Sequence, residues 1–361
     1  MTFCIAEAGV NHNGSLKIAK QLIDVAADAG ADAVKFQTFR ANQVVSRNTP
    51  KAEYQLQTTD QNESQLEMIR KLELNEEDHK TLFTHSVKKN IIFLSTPFDL
   101  SSLKFLTNCL GLETIKCPSG EITNAPFLLE VARSSKKIIL STGMSSLDEI
   151  EAALGVIAFG FTSSKIAIPK PGDFKDAFAS KYGQNQLRSR ITLLHCTSAY
   201  PAPFNEVNLL AMDSMANAFN LPVGYSDHTK EIHVSLAAAA RGAKIIEKHF
   251  TLDHNLPGPD QKASLEPNEL KQMVRQIRDI ENALGDGVKR PTSSELKNIN
   301  VSRRSLVAEN KINKGDVFTN KNVAYKRPGE GVSPYKFWEM LGRRATRNYN
   351  ADELLDEVED D

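Results

Sequence analysis

Two apolar, strand-like runs each finish on a histidine: "PVGYSDHT" (222–229) carries His228, and "KIIEKHFT" (244–251) carries His249. Two imidazoles from adjacent strand ends can meet at one divalent ion, leaving coordination positions open for a Lewis-acid role. Imidazole by itself favours zinc over magnesium or manganese, and a pair of hydrogen-bonded loop histidines is the plainer alternative. Lysines close other runs, Lys35 in "AVKFQTF", Lys116 in "TIKCPSG" and Lys248 in "KIIEKHF". Three ammonium groups on one rim, interleaved with Ser95, Thr96, Ser119, Ser141 and Ser226, suit a doubly anionic ligand such as a phosphate. No GxGxxG or Walker pattern occurs, so a nucleotide is not implied. The acids are Glu7 inside the first run, Glu121 in "PSGEIT" and Asp260 in "PGPD". A glutamate within an apolar run is seldom buried unpaired, so Glu7 should face a lysine or a bound hydroxyl. Asp260 could grip a sugar hydroxyl or simply close a turn. His195 reads as structural, and His12 as a turn residue or a rim contact.

These residues need a scaffold that brings strand ends together. Eight strand candidates appear: "FCIAEAG", "AVKFQTF", "IIFLSTPF", "TIKCPSG", "KIILSTG", "ITLLHCTS", "PVGYSD" and "KIIEKHF". Helical patterns separate them, as in "SLKIAKQLIDVAADAG", where Leu16, Ala19, Ile23, Ala26 and Ala27 recur at helical spacing before Gly30. Strand–helix alternation implies parallel strands, and eight units over residues 1–285 suit an α/β TIM (β/α)8 barrel better than an open sheet. In such a barrel the site forms at the C-terminal strand ends, where all eight runs here are polar.

Two stretches break the rhythm. Residues 40–75 form a polar excursion after the second strand, and residues 160–190 read as a mobile surface insertion before the sixth. Residues 286–299 read as a linker. Residues 300–361 read as a small β-rich domain punctuated by Asn-Lys-Gly and Pro-Gly-Glu-Gly turns, ending in a solvated acidic tail. The net charge of −1 gives no reason to expect nucleic acid or an anionic membrane as a partner. Four scattered cysteines without C-x-x-C spacing, no signal-peptide pattern and no long apolar run point to a reduced, cytoplasmic protein.

The ordered motifs "AEAGVNHNG", "AVKFQTF", "STPFD", "IKCPSGEI", "ILSTGM", "LLHCTSAYP", "GYSDHT", "IEKHF" and "GPD" resemble the sialic acid synthase family. "VAENKINKGDVFTNKNVAYKRPGEGVSP" resembles the antifreeze-like (SAF) β-clip domain that ends those enzymes. The resemblance implies condensation of phosphoenolpyruvate with the open-chain aldehyde of an N-acylated mannose-type sugar, assisted by Mn2+ or Mg2+. It assigns Lys35, Thr96, Lys116, Ser119, Ser141 and Ser226 to phosphoenolpyruvate, with Ser198 standing where the family has Asn. It assigns His228 and His249 to the metal, Glu121 to acid/base work, and Glu7, Gln37, Tyr200 and Asp260 to the sugar; Glu7 and Asp260 thereby join Glu121 as candidate catalytic groups. Arg327 matches an arginine lent by the small domain to the other subunit, so a domain-swapped homodimer is implied. A further family asparagine could be matched by Asp60 or Asn62. The acceptor could be N-acetylmannosamine or 2,4-diacetamido-2,4,6-trideoxymannose, with a pseudaminate-type sugar ranked last. The competing readings are a metal-dependent aldolase or hydrolase on the same barrel, and an ice- or glycan-binding module on an inactive one.

Overall fold

The computed structural model describes every residue except 48, 52–54, 57–58, 61 and 358–361. Eight strands alternate with helices: β1 Phe3–Gly9, β2 Ala33–Thr38, β3 Ile92–Pro97, β4 Thr114–Cys117, β5 Lys137–Ser141, β6 Ile191–Cys196, β7 Val223–Asp227 and β8 Ile245–His249. All pair in parallel, in the order β3-β2-β1-β8-β7-β6-β5-β4, and the two end strands pack side by side to bring the sheet nearly full circle. This is a (β/α)8 barrel. Two of its helices show a single buried stripe. Leu16–Asp28, capped by the Ser15 side chain, hides Ala19, Leu22, Ile23 and Ala26, and Pro267–Leu284 hides Leu270, Met273, Val274 and Ile277.

The barrel interior is organised in steps of two residues. Ile5, Ala33, Leu94, Ile139, Leu194 and Ile245 form an apolar plug. Two residues further along the same strands stand Glu7, Lys35, Thr96, Ser141, Cys196 and Glu247. Strand side chains alternate faces, so this second set points into the same interior, one tier nearer the C-terminal mouth. The intervening residues, among them Cys4, Ala6, Val34, Phe36 and Ile246, face outward and build the main core against the helices.

The polar excursion is folded where it is described. Ser64 and Glu67 form a capping box on the helix Gln65–Lys71. Lys51 Nζ sits 3.1 Å from Glu63 Oε1, and Lys71 pairs with the other oxygen of Glu63. The expected insertion at 160–190 is largely helical. The helix Leu147–Thr162 runs into it, and helices Asp173–Ala179 and Lys181–Arg190 follow. Phe174 meets Phe159 edge-on at 5.5 Å, and Arg190 lies 3.6 Å above the Phe161 ring. Phe174 and Phe178, four residues apart, supply a half-buried apolar stripe that the polar composition of this stretch masks.

Met1–Gly285 and Asp286–Asp361 are separate compact units. Within the stretch expected as a linker, a helix begins at Ser293 and runs to Ser302, capped by Thr292. The second unit pairs β9 Ser305–Ala308 antiparallel with β10 Val323–Lys326 around Leu306, Ile312, Phe318, Val323 and Tyr349. Its acidic end is not simply solvated. Leu355 is buried in that core, and Arg347 Nε donates to Asp356 at 2.6 Å. No helix among the described residues is long and apolar enough to cross a membrane.

Candidate active site

At the C-terminal mouth of the barrel lies a cavity of about 410 Å³. Thirteen of the residues singled out from the sequence line it: Glu7, Lys35, Gln37, Thr96, Lys116, Ser119, Ser141, Ser198, Tyr200, Ser226, His228, His249 and Asp260. Its floor is a ring of charge resting on the apolar plug. Lys35 Nζ lies 2.7 Å from Glu7 Oε2 and 3.6 Å from Glu247 Oε2, and donates to Thr96 Oγ1 at 3.0 Å. Lys116 Nζ lies 3.5 Å from Glu247 Oε1, which accepts from Ser226 Oγ at 2.8 Å. None of these four charged side chains is more than 5% exposed.

Burial and neighbours drive the two acids apart. Burial pushes Glu7 above the ordinary carboxylate range, and the pull of Lys35 does not overcome it. Burial also acts on Glu247, but Lys116 and Lys35, with the Ser226 hydroxyl, hold it low. Burial would depress Lys35, yet Glu247 and Glu7 lift it, so it stays charged.

Above the ring stand the imidazoles, with ring centroids 5.7 Å apart. His228 Nδ1 donates to the Thr197 carbonyl at 2.7 Å, which leaves Nε2 with its lone pair. His249 Nδ1 has no hydrogen-bond partner, its nearest acid being Asp260 Oδ2 at 3.9 Å. Burial lowers His228 to about 4 and His249 well below the ordinary histidine range, so both are neutral at pH 7, as ligation requires. Tyr200 packs on both, 4.2 Å from the His228 ring and edge-on to His249 at 5.7 Å. Among the described residues no group of three or more His, Cys, Asp and Glu could hold a metal ion, so these two nitrogens would leave the other positions to water and substrate. The unpartnered His249 nitrogen and the lone pair on His228 fit a divalent ion.

Two of the hydroxyls cluster around one glycine. Ser119 Oγ accepts from the Gly143 N–H at 2.9 Å and lies 3.1 Å from Cys196 Sγ. A Cβ on Gly143 would fall 2.3 Å from Ser198 Oγ and 2.9 Å from Ser119 Oγ, so only glycine admits this approach. Ser141 Oγ is buried without a partner, the mark of a group kept for a ligand.

Other residues stand elsewhere. Glu121, in the single turn Ser119–Glu121, does not line the cavity; its Oε2 accepts from Asn124 Nδ2 at 2.7 Å. Asp60 and Asn62 are exposed and do not line it either. Arg327 is exposed on the second unit, directly after β10. Two rim expectations are corrected by strand alternation. Lys248 points out behind the sheet, 3.2 Å from Asp227 Oδ2, and Ser95 points out to Thr38 Oγ1 at 2.7 Å. His195 also faces outward, bonded to the Val207 carbonyl, and His12 closes a turn by accepting from Gly14 N–H. Sequence reasoning missed Glu247, although His249 facing inward places a residue two positions earlier on the same face. It also missed Val10, Phe39 and Phe98, which line the cavity just past the ends of β1, β2 and β3.

The NeuB family model matches residues 22–289 and the SAF domain model residues 303–358. The chain is 55% identical to an N,N'-diacetyllegionaminic acid synthase of Campylobacter jejuni, covering 99% of both chains. It is 43% identical to the enzyme of that name in Legionella pneumophila, covering 98% of this chain and 93% of that one. A solved N-acetylneuraminic acid synthetase from Leptospira borgpetersenii superposes with a TM-score of 0.67 at 35% identity, over 82% of this chain and 90% of that one.

Proposed function

The chain belongs to the NeuB family, and from that premise we propose that it condenses phosphoenolpyruvate with an N-acylated mannose-type aldehyde. One observation carries the reading: a buried ring of two lysines and two glutamates lies directly beneath two neutral imidazoles in one cavity. Burial favours the protonated form of Glu7, which lessens the negative charge of the ring and suits a polyanion. Lys35 and Lys116 supply charge, and Thr96, Ser119, Ser141, Ser198 and Ser226 supply directed donors for the phosphate and carboxylate.

The enol carbon of phosphoenolpyruvate forms a bond to the aldehyde carbon, and the aldehyde oxygen takes up a proton. Water adds at C2, losing a proton, and phosphate departs with its bridging oxygen to leave a nine-carbon 2-keto acid. Glu7, which lines the cavity and has a raised pKa, is the proposed proton donor there. Glu121 is assigned acid/base work on the strength of its family match, and its carboxylate would have to leave Asn124 to do it. Gln37, Tyr200 and Asp260, the last raised to about 6 by burial, orient the sugar. His228 Nε2 and His249 would hold Mn2+ or Mg2+, which when bound supplies Lewis-acid polarisation. Arg327, on the small unit, is assigned to the sugar site of the other subunit in a domain-swapped homodimer, on the strength of its family match and its exposure. The names of the two most similar relatives reported above favour the diacetamido 6-deoxy sugar as acceptor.

The test is phosphate release from phosphoenolpyruvate with Mn2+ and either N-acetylmannosamine or the diacetamido sugar. Release dependent on one of these acceptors is expected; no release with either rejects the synthase reading in favour of an aldolase or hydrolase.

A further inference from the structure

The loop after β8 brings Asp260 to the cavity, but the groups that hold the loop lie behind the cavity wall. Asn11, Gln261 and Ser264 are each 1% exposed, and none of the three lines the cavity. Asn11 Nδ2 donates at 2.8 Å both to the Phe250 carbonyl and to Ser264 Oγ. Ser264 Oγ donates in turn to the Asp260 carbonyl at 2.7 Å. The proton directions in this chain are forced, because a carbonyl can only accept. The Ser264 hydroxyl commits its one proton to Asp260 and must accept from Asn11, which commits both of its amide protons. The Asn11 Oδ1 atom has no hydrogen-bond partner, so the two N–H groups are what this side chain contributes.

The same loop is laced to the turn after β1 at two more points. Gln261 Nε2 donates to the Asn11 carbonyl at 3.1 Å, and Gln261 Oε1 accepts from Thr251 Oγ1. Asn13 Nδ2 donates to the Pro257 carbonyl at 2.7 Å. A Cβ on Gly258, where φ is +139°, would fall 2.7 Å from Asn13 Oδ1, so the contact of the two loops requires glycine there. The end of β8 is fixed by the same lacing. Phe250 donates its N–H to the Glu7 carbonyl at 3.0 Å and accepts from Asn11 at its own carbonyl, while the Leu265 N–H donates to the His249 carbonyl at 2.8 Å. His249 and Asp260 thus take their places from one shared amide.

Resting on the synthase reading, we infer that Asn11 is a positioning residue that sets Asp260, on the sugar side, against His249, on the metal side, while itself lying outside the cavity. Through Ser264 it holds the backbone of Asp260, and through the Phe250 carbonyl it holds the chain directly after His249. A group that orients substrate loses its hold when displaced by about 1 Å, and buried hydrogen-bonded networks prevent such drift. Asparagine suits the place because it offers two donors without a charge. Aspartate, of the same shape, offers only acceptors, so the Phe250 carbonyl loses its donor and the Ser264 proton is drawn away from Asp260.

The experiment uses the full-length protein, with phosphate release giving KM for the sugar acceptor and for phosphoenolpyruvate, and calorimetry giving the affinity for Mn2+ alone. Ser264→Ala cuts the branch to Asp260 and leaves the bond from Asn11 to Phe250. KM for the acceptor should rise about 5–10-fold, the reach of one hydrogen bond, with KM for phosphoenolpyruvate and Mn2+ affinity unmoved. Asn11→Asp removes both donors, so KM for the acceptor should rise at least as far and Mn2+ should bind about tenfold more weakly. If Asn11→Asp does not fold, Ser264→Ala still decides. A lowered melting temperature with both Michaelis constants native overturns the inference, as do equal rises in the two constants. Native Mn2+ affinity in folded Asn11→Asp overturns the link to His249. A native chain that releases no phosphate with either acceptor removes the synthase reading itself, and Mn2+ calorimetry on Asn11→Asp then judges the tie to His249 independently.

Discussion

Two buried lysines of one barrel, on the strands either side of β1, meet opposite fates. Lys35, at the lumen, pairs with Glu7, shares Glu247 with Lys116 and faces a cavity in which Ser141 Oγ and His249 Nδ1 have no hydrogen-bond partners. Lys248, behind the sheet and fully buried, is sealed by Asp227 and by the carbonyls of Thr229 and Glu231. Asp227 is itself saturated, accepting from Thr229 N–H at 2.8 Å, Thr229 Oγ1 at 2.7 Å and Ser235 Oγ at 2.6 Å. The residue types are the same. What separates a site from a strut is whether the hydrogen-bonding capacity around the charge is closed by the protein or left open towards a cavity.

Replacement of the lumenal charge should produce the largest effect. Lys116→Met removes a cation aimed at the substrate while Glu247 keeps Lys35 and Ser226, so kcat/KM for phosphoenolpyruvate should fall about 10³-fold, roughly 4 kcal/mol. Steady-state phosphate release measures this, and a loss below tenfold would erase the distinction between the lysines. Asp227→Ala should reverse the pattern. It strands a buried ammonium, so chemical denaturation should show about 3 kcal/mol less stability, with kcat/KM per folded molecule retained; lost turnover in a fully stable variant would break the comparison.

The smallest effect is a pH slope. Glu7 has a raised pKa in the folded protein, so between the ordinary glutamate value near 4.5 and that raised value the folded state holds a proton the unfolded chain releases. Stability therefore falls as pH climbs through that window, and Glu7→Gln should flatten the slope in melts taken at successive pH values. A slope that survives the substitution would place the lumenal proton on another group.

Much of this was legible in the sequence. Eight apolar runs with polar ends, separated by helical patterns, identify the barrel because backbone period and hydrophobic period agree. The polar ends also name the mouth that carries the chemistry. The phase of each run is harder. Once His249 is taken to face inward, Glu247 must follow and Lys248 cannot, yet the eye is drawn to the lysine as the more familiar phosphate ligand. Phe39 and Phe98 escape for the opposite reason, since an aromatic at a strand end looks like core. Glu121 illustrates what alternation cannot supply. It sits in a single tight turn, where side-chain direction follows backbone angles that no periodicity records. The helices Asp173–Ala179 and Lys181–Arg190 are masked by polar composition, because the first only half-buries its phenylalanines and the second buries just Gly183 and Leu187.

The two-residue stagger shared by the plug, the charged ring and the aromatic rim imposes a parity rule on the chain's history. A one-residue insertion or deletion within a strand would send every later inward group to the outer wall. Length drift is thus confined to connections, such as the segments after β2 and before β6, while the lumen can change only by substitution in place. Diversification of the acceptor could then proceed at the rim alone, with the machinery beneath it untouched.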